Sequence, residues 1–478
     1  MTYTKKDWLN YLVALILAVA AYFVVPAAGG LTDLGRIVVA LLVFDIYCWI
    51  AIDTVISSLI TITAVMVMQL LPTASVLQSS FGSLLVGILF APVLVSIPLT
   101  ELGIMDYVSC WFLSRKSIIG RPYLYFLMIG VASYVLSSIS VMISLFSVMP
   151  LVVAICQQLG VKKGDKFYTA SFLMLLWTVF TGEAYFPFAK SIYITGTSIF
   201  GAFGFSDDLG AYMRWSVPLA IVNLLVALLI IKLVVRPDTS CFSKYDRTML
   251  LDRMKAVKFD KRAVVVLILF ILFIISVLLP IFKDSSAFCA YLNTCTMLPF
   301  GFVVALCYFL IPFGPERKPL LDFKKTMSEY PWGLALFLSC TMLLTALMTS
   351  ADFGVTTAAA SLLSPLTGKM GAAGVTILAV VLVFVLTNVM SNTVALAVVL
   401  PTFLPIIVGM NDSVVTPLAF FMAVDFTAVC GFIFRPAQPP TPLVIGPHIS
   451  QKENLLPSIL MGVVLMAEMA ALILLGIA

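Results

Sequence analysis

The run Thr387-Asn388-Val389-Met390-Ser391-Asn392-Thr393 places five polar side chains in the middle of an otherwise apolar stretch. Buried hydroxyls and carboxamides cost free energy unless they find partners, so the run has two readings. It is a packing site where these side chains hydrogen-bond neighbouring helices, or it is a ligand site. In the second case a helix that starts here offers free N–H groups to an anion, and hydroxyl and carbonyl oxygens hold a sodium ion. Further on, Pro436-Ala437-Gln438-Pro439-Pro440-Thr441 interrupts a second apolar stretch.

Four charges fall within apolar surroundings: Glu183, Lys190, Asp425 and Arg435. Charges at such depth are costly and are paired or functional. Glu183 and Arg435 could lock two spans by a mutual salt bridge, or Arg435 or Lys190 could bind an anion. Asp425 reads as a hydrogen-bonded helix contact or as a proton or sodium carrier. Asp45 and Asp53 read as structural, and His448, the single histidine, is assigned no chemistry.

The elements that must position these residues follow from composition. With 62% hydrophobic and 11% charged residues over 478 positions, the solvent is lipid. Apolar runs of about 20 residues, enough to cross roughly 30 Å of hydrocarbon, recur along the chain, whereas alternating strand patterns do not. A helical bundle is expected, not a barrel. Straight spans are expected near 8–28, 36–52, 54–71, 83–100, 215–236, 263–283, 292–313, 331–350 and 456–477. The run after Lys5 and Lys6 is too long for a signal peptide and lacks a cleavage site, so it is taken as the first span.

Stretches 123–156, 168–205, 371–409 and 415–446 are too long for one straight span, because 39 residues at 1.5 Å each reach about 58 Å. Treating 123–156 and 371–409 as re-entrant hairpins, and the other two as interrupted single crossings, gives eleven crossings. With the N-terminus inside, 21 of the 28 basic residues then fall on the cytoplasmic side, as the positive-inside rule requires. Making the hairpins full crossings would move the basic clusters at 162–166, 236–262 and 317–325 outside.

An offset of 251 places Ser140 on Ser391, Pro150 on Pro401 and Ile155 on Ile406 without gaps, so the two hairpins align. The expected fold class is an all-α polytopic membrane protein of about eleven transmembrane helices, with two re-entrant hairpins in an inverted repeat. The first repeat spans 1–236, a cytoplasmic and solvated linker 237–262, and the second repeat 263–478. Broken helices meeting near the midplane of inverted repeats are the architecture of secondary transporters.

Ser391-Asn392-Thr393 with Pro401 ten residues on, the Pro436–Thr441 element and Tyr330-Pro331-Trp332 resemble the divalent anion/sodium symporter family, which moves dicarboxylates, citrate or sulfate. The resemblance covers nearly the whole chain. It implies an elevator mechanism in a homodimer, in which the binding half slides past a scaffold. It further implies that Asn392, Thr393, Arg435 and Thr441, with Ser138 and Ser140 at the first tip, contact substrate. Ser391, Asn388, Gln438, Pro439 and Pro440 would form a sodium site. The sequence departs from the family at the first tip, where Ser140 is followed by Val141 and Met142, which supply no side-chain oxygen. It departs again at Thr181-Gly182-Glu183-Ala184-Tyr185-Phe186-Pro187, which stands where the family has a proline-rich element.

The function expected is secondary active transport of a small anion, most directly a di- or tricarboxylate, with sodium as coupling ion and no other cofactor. The alternative is a sodium-independent or proton-coupled exchanger, or an arsenite or ion antiporter of the same superfamily. The expected partners are the small anion, the lipid bilayer and a second copy of the chain, and the expected place is the plasma membrane, multi-pass, N-terminus cytoplasmic. A net charge of +5 records topology and not nucleic-acid binding. A single histidine without H-E-x-x-H, and no Gly-rich phosphate loop, speak against an enzyme or ATPase. Internal inverted halves speak against a channel. The nine cysteines, mostly within apolar runs, read as small buried hydrophobes, with the pairing of Cys289 and Cys295 left open.

Overall fold

In hydrocarbon every backbone N–H and C=O must be satisfied within the protein, and a helix does this segment by segment. The computed structural model describes residues 5–82, 94–95, 97–99, 101–186, 191–257, 260–279, 286–295, 298–313, 318–330, 332–355, 357–358, 361, 370–389, 392–412, 414–434 and 441–476. Its one sheet among the described residues is a two-residue antiparallel pair, Pro312–Phe313 with Lys318–Pro319. Among the described residues, five helical stretches are long and apolar enough to cross a membrane: Asp7–Val24, Val141–Gln158, Leu209–Val235, Asn392–Met410 and Gln451–Leu474. With the shorter apolar helices between them, the chain is an all-α polytopic membrane protein.

The over-long stretches break as their length demands. The first becomes a helical hairpin of Pro122–Ser137 and Val141–Gln158. Ser140 caps its second arm, accepting from the Ile143 N–H at 3.5 Å. The second hairpin has arms Gly371–Thr387 and Asn392–Met410. Each returning arm carries a proline inside, Pro150 in one and Pro401 in the other. The second-arm starts, Val141 and Asn392, lie 251 residues apart, as do the starts of the next helices, Lys166–Tyr185 and Pro417–Ala428. Stretch 168–205 divides into Lys166–Tyr185 and Ser191–Ala202. Stretch 415–446 divides into Pro417–Ala428 and the single turn Thr441–Val444.

Two expectations are corrected. The apolar run 54–71 forms only Ile56–Val67, 12 residues, which rise about 18 Å and fall short of the hydrocarbon thickness. Asp53 fixes its start by accepting from the N–H groups of Val55 and Ile56, and Gln69 in the left-handed region (φ 53°) turns the chain beyond its end. In the run 292–313 the described residues form the helical segments Ala287–Cys295 and Leu298–Leu310, and 296–297 lie outside the described residues. Residues 237–262 are not a merely solvated connection. They contain the helix Thr248–Ala256, which packs on Ile104–Leu113 through buried Leu250 and through Met254. Tyr245 donates to the Leu113 carbonyl, Arg247 to that of Ser114 at 3.4 Å, and Gln158 to that of Asp246 at 3.0 Å. Most of the span expected at 83–100 lies outside the described residues.

Two large apolar bodies emerge. The greater holds both hairpins, the helices that follow them and the last helix, Gln451–Leu474. The other joins Asp33–Ala51 and Ile56–Val67 to Trp332–Thr349. Asp45 lies buried in this second packing, accepting from the Cys340 thiol at 3.4 Å, and Asp53 is a helix cap that also accepts from the Tyr11 hydroxyl at 2.8 Å. Cys289 is a free thiol, and the Cys295 side chain lies outside the described residues.

Candidate functional site

The helix Pro417–Ala428 ends in mid-core, and residues 429–433 continue as buried, non-helical backbone. Helix ends leave carbonyls without partners, and buried orphans cost about 1–3 kcal/mol each. Here side chains from two other elements take up that role. Thr387, last residue of the outgoing arm, donates to the Ala428 carbonyl at 2.6 Å and also meets the Asn392 side-chain oxygen. Asn388 donates to Cys430 O at 3.1 Å and to Phe384 O at 2.8 Å, and accepts from the Ile433 N–H at 2.8 Å. Asn454, one turn into the last helix, donates to Phe432 O at 3.0 Å and Ile433 O at 2.7 Å, and Gln451 donates to Ile433 O at 2.7 Å. Asn454 is itself oriented by Ser458, whose hydroxyl donates to it at 2.8 Å and accepts from the Trp177 indole N–H at 2.7 Å.

Gly431 lets this backbone approach the tip. A side chain there would meet the Thr387 carbonyl at 2.6 Å and the Asn392 oxygen at 2.8 Å. Asn392 and Thr393 open the returning arm, both buried, with the Asn392 side-chain oxygen against the Thr387 hydroxyl and Gly431. Thr441, fully buried, opens the turn on the far side of the interruption. The structure therefore brings Asn388, Asn392 and the 429–433 backbone together. Ser391, Arg435, Gln438, Pro439 and Pro440, expected in the same site, and Lys190 lie outside the described residues.

At the first tip Ser138 donates back to its own helix, to Val135 O at 2.7 Å, and Ser140 is a helix cap. The following helix passes this tip unbroken, its Gly182 against Ser137 and Tyr134. Ser138 and Ser140 are thus held within the first hairpin and do not join Asn392 at the second tip by any hydrogen bond among the described residues. Glu183 is buried in that unbroken helix.

Asp425 is fully buried in the helix before the interruption, with its Oδ1 lacking a hydrogen-bond partner. Nearby in the fold, the Tyr212 hydroxyl and the Trp215 indole N–H are also buried and unpartnered. Polarity at Tyr212, Trp215, Asn454 and Gln451 was not singled out from sequence. A Tyr or Trp in an apolar run looks like any core aromatic, and Gln451 and Asn454 look like the polar start of a span.

His448 sits on the turn beyond the interruption, where its Nδ1 shares a hydrogen bond with the Tyr168 hydroxyl at 2.8 Å and its ring stacks on Phe172 at 4.3 Å. Burial, then the Lys163 charge, pushes its pKa below the usual imidazole value. It is a packing residue and touches none of the polar groups above.

No family model and no curated protein matches the sequence. Among solved structures, the fold is similar to that of the Alcanivorax borkumensis YdaH transporter, whose crystal structure is described as revealing an unusual topology. The TM-score is 0.56 at 14% identity, over 84% of this chain and 86% of that one. At that identity the likeness speaks for the fold.

Proposed function

We propose that this chain is a secondary transporter which carries a small carboxylate-bearing anion, a di- or tricarboxylate, at the junction of the second hairpin tip and the interrupted segment. The observation that carries the reading is the clasped stretch 429–433. Irregular backbone at membrane depth is tolerated where it is buried in protein or lines a cavity, and broken helices beside such backbone form the sites of secondary transporters. The N-terminus of the returning arm, at Asn392 and Thr393, offers N–H groups and a positive dipole end to a carboxylate. Thr441, with Arg435, would close the site from the other side. The fold shared with a transporter supports the same reading.

On the resemblance to the divalent anion/sodium symporters, sodium is the coupling ion, held by Ser391, Asn388 and the 436–441 element, and the large apolar body that bears both tips slides as an elevator against the other within a homodimer. The arrangement would sit in the plasma membrane with the N-terminus inside and the two halves inverted. One observation favours a second reading, a sodium-independent or proton-coupled exchanger. Both N–H groups of Asn388 donate to carbonyls and its oxygen accepts from Ile433, which leaves this side chain a single lone pair to offer a cation. Uptake of labelled succinate, citrate and sulfate into proteoliposomes tests both. Sodium-driven uptake abolished by Asn392→Ala is the expected result. Uptake of none of the three under any ion gradient would sink the anion-transport reading, and uptake indifferent to sodium would select the second.

A further inference from the structure

Asp425 presents a problem that the substrate site does not solve. Its carboxyl is fully buried on Pro417–Ala428, with Oδ1 unpartnered. A charged carboxylate there would meet no cation among the described residues, and intramembrane carboxyls without a structural partner mark ion or proton pathways. Gly196 makes room for it, since a side chain at that position would meet Asp425 Oδ1 at 2.6 Å and the Phe421 ring at 2.7 Å. Other unpartnered polar groups gather around the same helix. Tyr212 and Trp215 lie with ring centroids 4.9 Å apart, and Trp215 contacts Phe426, the neighbour of Asp425, at 5.4 Å. Their buried hydroxyl and indole N–H find no acceptor.

The chemistry of this set separates two cations. Sodium requires several oxygen ligands, whereas the indole N–H is a donor only and cannot ligate a metal. One carboxyl, one hydroxyl and one N–H suit a proton held on the carboxyl, alone or with a water. The groups facing Asp425 from the packed elements are Glu183 on Lys166–Tyr185, Tyr193 on Ser191–Ala202, Tyr212 on Leu209–Ile230 and Asp207 on the 203–208 loop, while Glu468 on Gln451–Leu474 faces Cys430. The hairpin arms Gly371–Thr387 and Asn392–Met410 contribute no titratable side chain. A link to the surface exists on one side. Tyr193, buried, meets Tyr212 edge to face at 5.5 Å and donates to exposed Asp207 at 2.7 Å.

We propose that Asp425 is the site at which the transporter binds and releases its coupling proton, reached from the 203–208 loop through Asp207 and Tyr193. The proposal rests on the transport reading, and it supplies what the proton-coupled form of that reading lacks. The proton comes from solvent at the loop, resides on the Asp425 carboxyl during the transport step, and returns to solvent when the carrier changes sides.

Infrared difference spectroscopy of the full chain in liposomes, recorded as pH is stepped, reads this site without any substrate. A carboxylic-acid carbonyl band should grow on acidification and be missing from Asp425→Asn but present in Glu468→Gln. Gly196→Ala leaves the carboxyl in place and crowds it, so it should shift the midpoint of the same band by a few tenths of a pH unit or more. That variant decides the matter if Asp425→Asn does not fold. Tyr193→Phe should keep the band and slow its appearance after a pH jump. A titrating band that survives Asp425→Asn, or a midpoint that sodium moves while Gly196→Ala does not, would overturn the assignment. Uptake of labelled succinate driven by a pH gradient is measured on the same vesicles, and uptake unchanged by Asp425→Asn would also overturn it. If wild-type vesicles take up no anion at all, the transport reading fails, and the band still shows whether Asp425 binds a proton.

Discussion

The two hairpin tips occupy matching places in the chain, yet beside one the next helix is still wound, as far as Tyr185, and beside the other it has already ended at Ala428. Ser137 and Ser138 precede the first turn as Thr387 and Asn388 precede the second. A serine hydroxyl is short and bonds back one turn, as Ser138 does to Val135 O and Ser137 to Tyr134 O at 3.4 Å. The carboxamide of Asn388 reaches across to Cys430 and Ile433, and Thr387 reaches Ala428. An unwound backbone survives in a dry core only if something else satisfies its polar groups. The difference teaches that the break is specified less by the segment that breaks than by donors on its neighbours. Lys166–Tyr185 runs on through Gly182, and among the described residues no hydrogen bond from the first tip to its carbonyls is seen.

The largest effect should follow removal of the principal clasp. Asn388→Ala leaves Cys430 O and the Ile433 N–H buried without partners, at about 1–3 kcal/mol each. A total loss of roughly 3 kcal/mol or more should show as a marked fall in thermal unfolding temperature of the purified protein. Ser138→Ala, the matching change at the first tip, should stay within about 0.5 kcal/mol, the range of substitutions that break no buried network. Equal losses in the two variants would break the comparison. Asn454→Leu comes next. It orphans Phe432 O, although Gln451 still donates to Ile433 O, so a cost of about 2 kcal/mol is expected. It should also loosen the interruption, read as faster amide exchange at the Ile433 N–H than in the wild type.

The two glycines sharpen the contrast at a smaller scale. Gly431→Ala pushes a methyl against a backbone carbonyl of the tip, whereas Gly182→Ala meets the Ser137 hydroxyl and the Tyr134 ring and backbone. Overpacking costs typically about 1–3 kcal/mol. Both variants should be destabilised, but only Gly431→Ala should alter anion uptake by more than its stability loss explains. Parallel loss of uptake in Gly182→Ala would place the two tips on the same functional footing.

Much of this was legible in the sequence. Apolar run lengths gave the bundle, and the over-long runs gave both hairpins and both interruptions, because length against bilayer thickness is a hard constraint. The 387–393 run was legible as a polar site. Its division of labour was not. Asn388 read as a sodium ligand, and its hydrogen bonds to Cys430 and Ile433 could not be read alongside, since these partners become neighbours only through the fold. The donors Gln451 and Asn454 were hidden for the same reason. The shortness of Ile56–Val67 escaped because apolarity marks a run as lipid-compatible and says nothing of where a left-handed residue such as Gln69 turns it.

The smallest effect concerns the seam between the halves. Beyond the interruption, His448 packs on Tyr168 and Phe172 of the unbroken helix, so the broken segment is anchored on the intact one by a titratable ring. Burial first, and the Lys163 charge second, lower its pKa in the folded protein. The folded state therefore binds fewer protons than the unfolded state as pH falls through the ordinary imidazole range near about 6.5. Stability is then fully present above that pH and declines below it until the folded-state value is passed. The ring is only half buried, so the decline should be slight. Thermal unfolding followed between neutral and mildly acidic pH should show this slope in the wild type and a flatter one in His448→Gln. Identical slopes would mean that His448 makes no titrating contact at the seam, and that the first half holds the second through such contacts as Trp177 with Ser458 and Thr169 with Glu453.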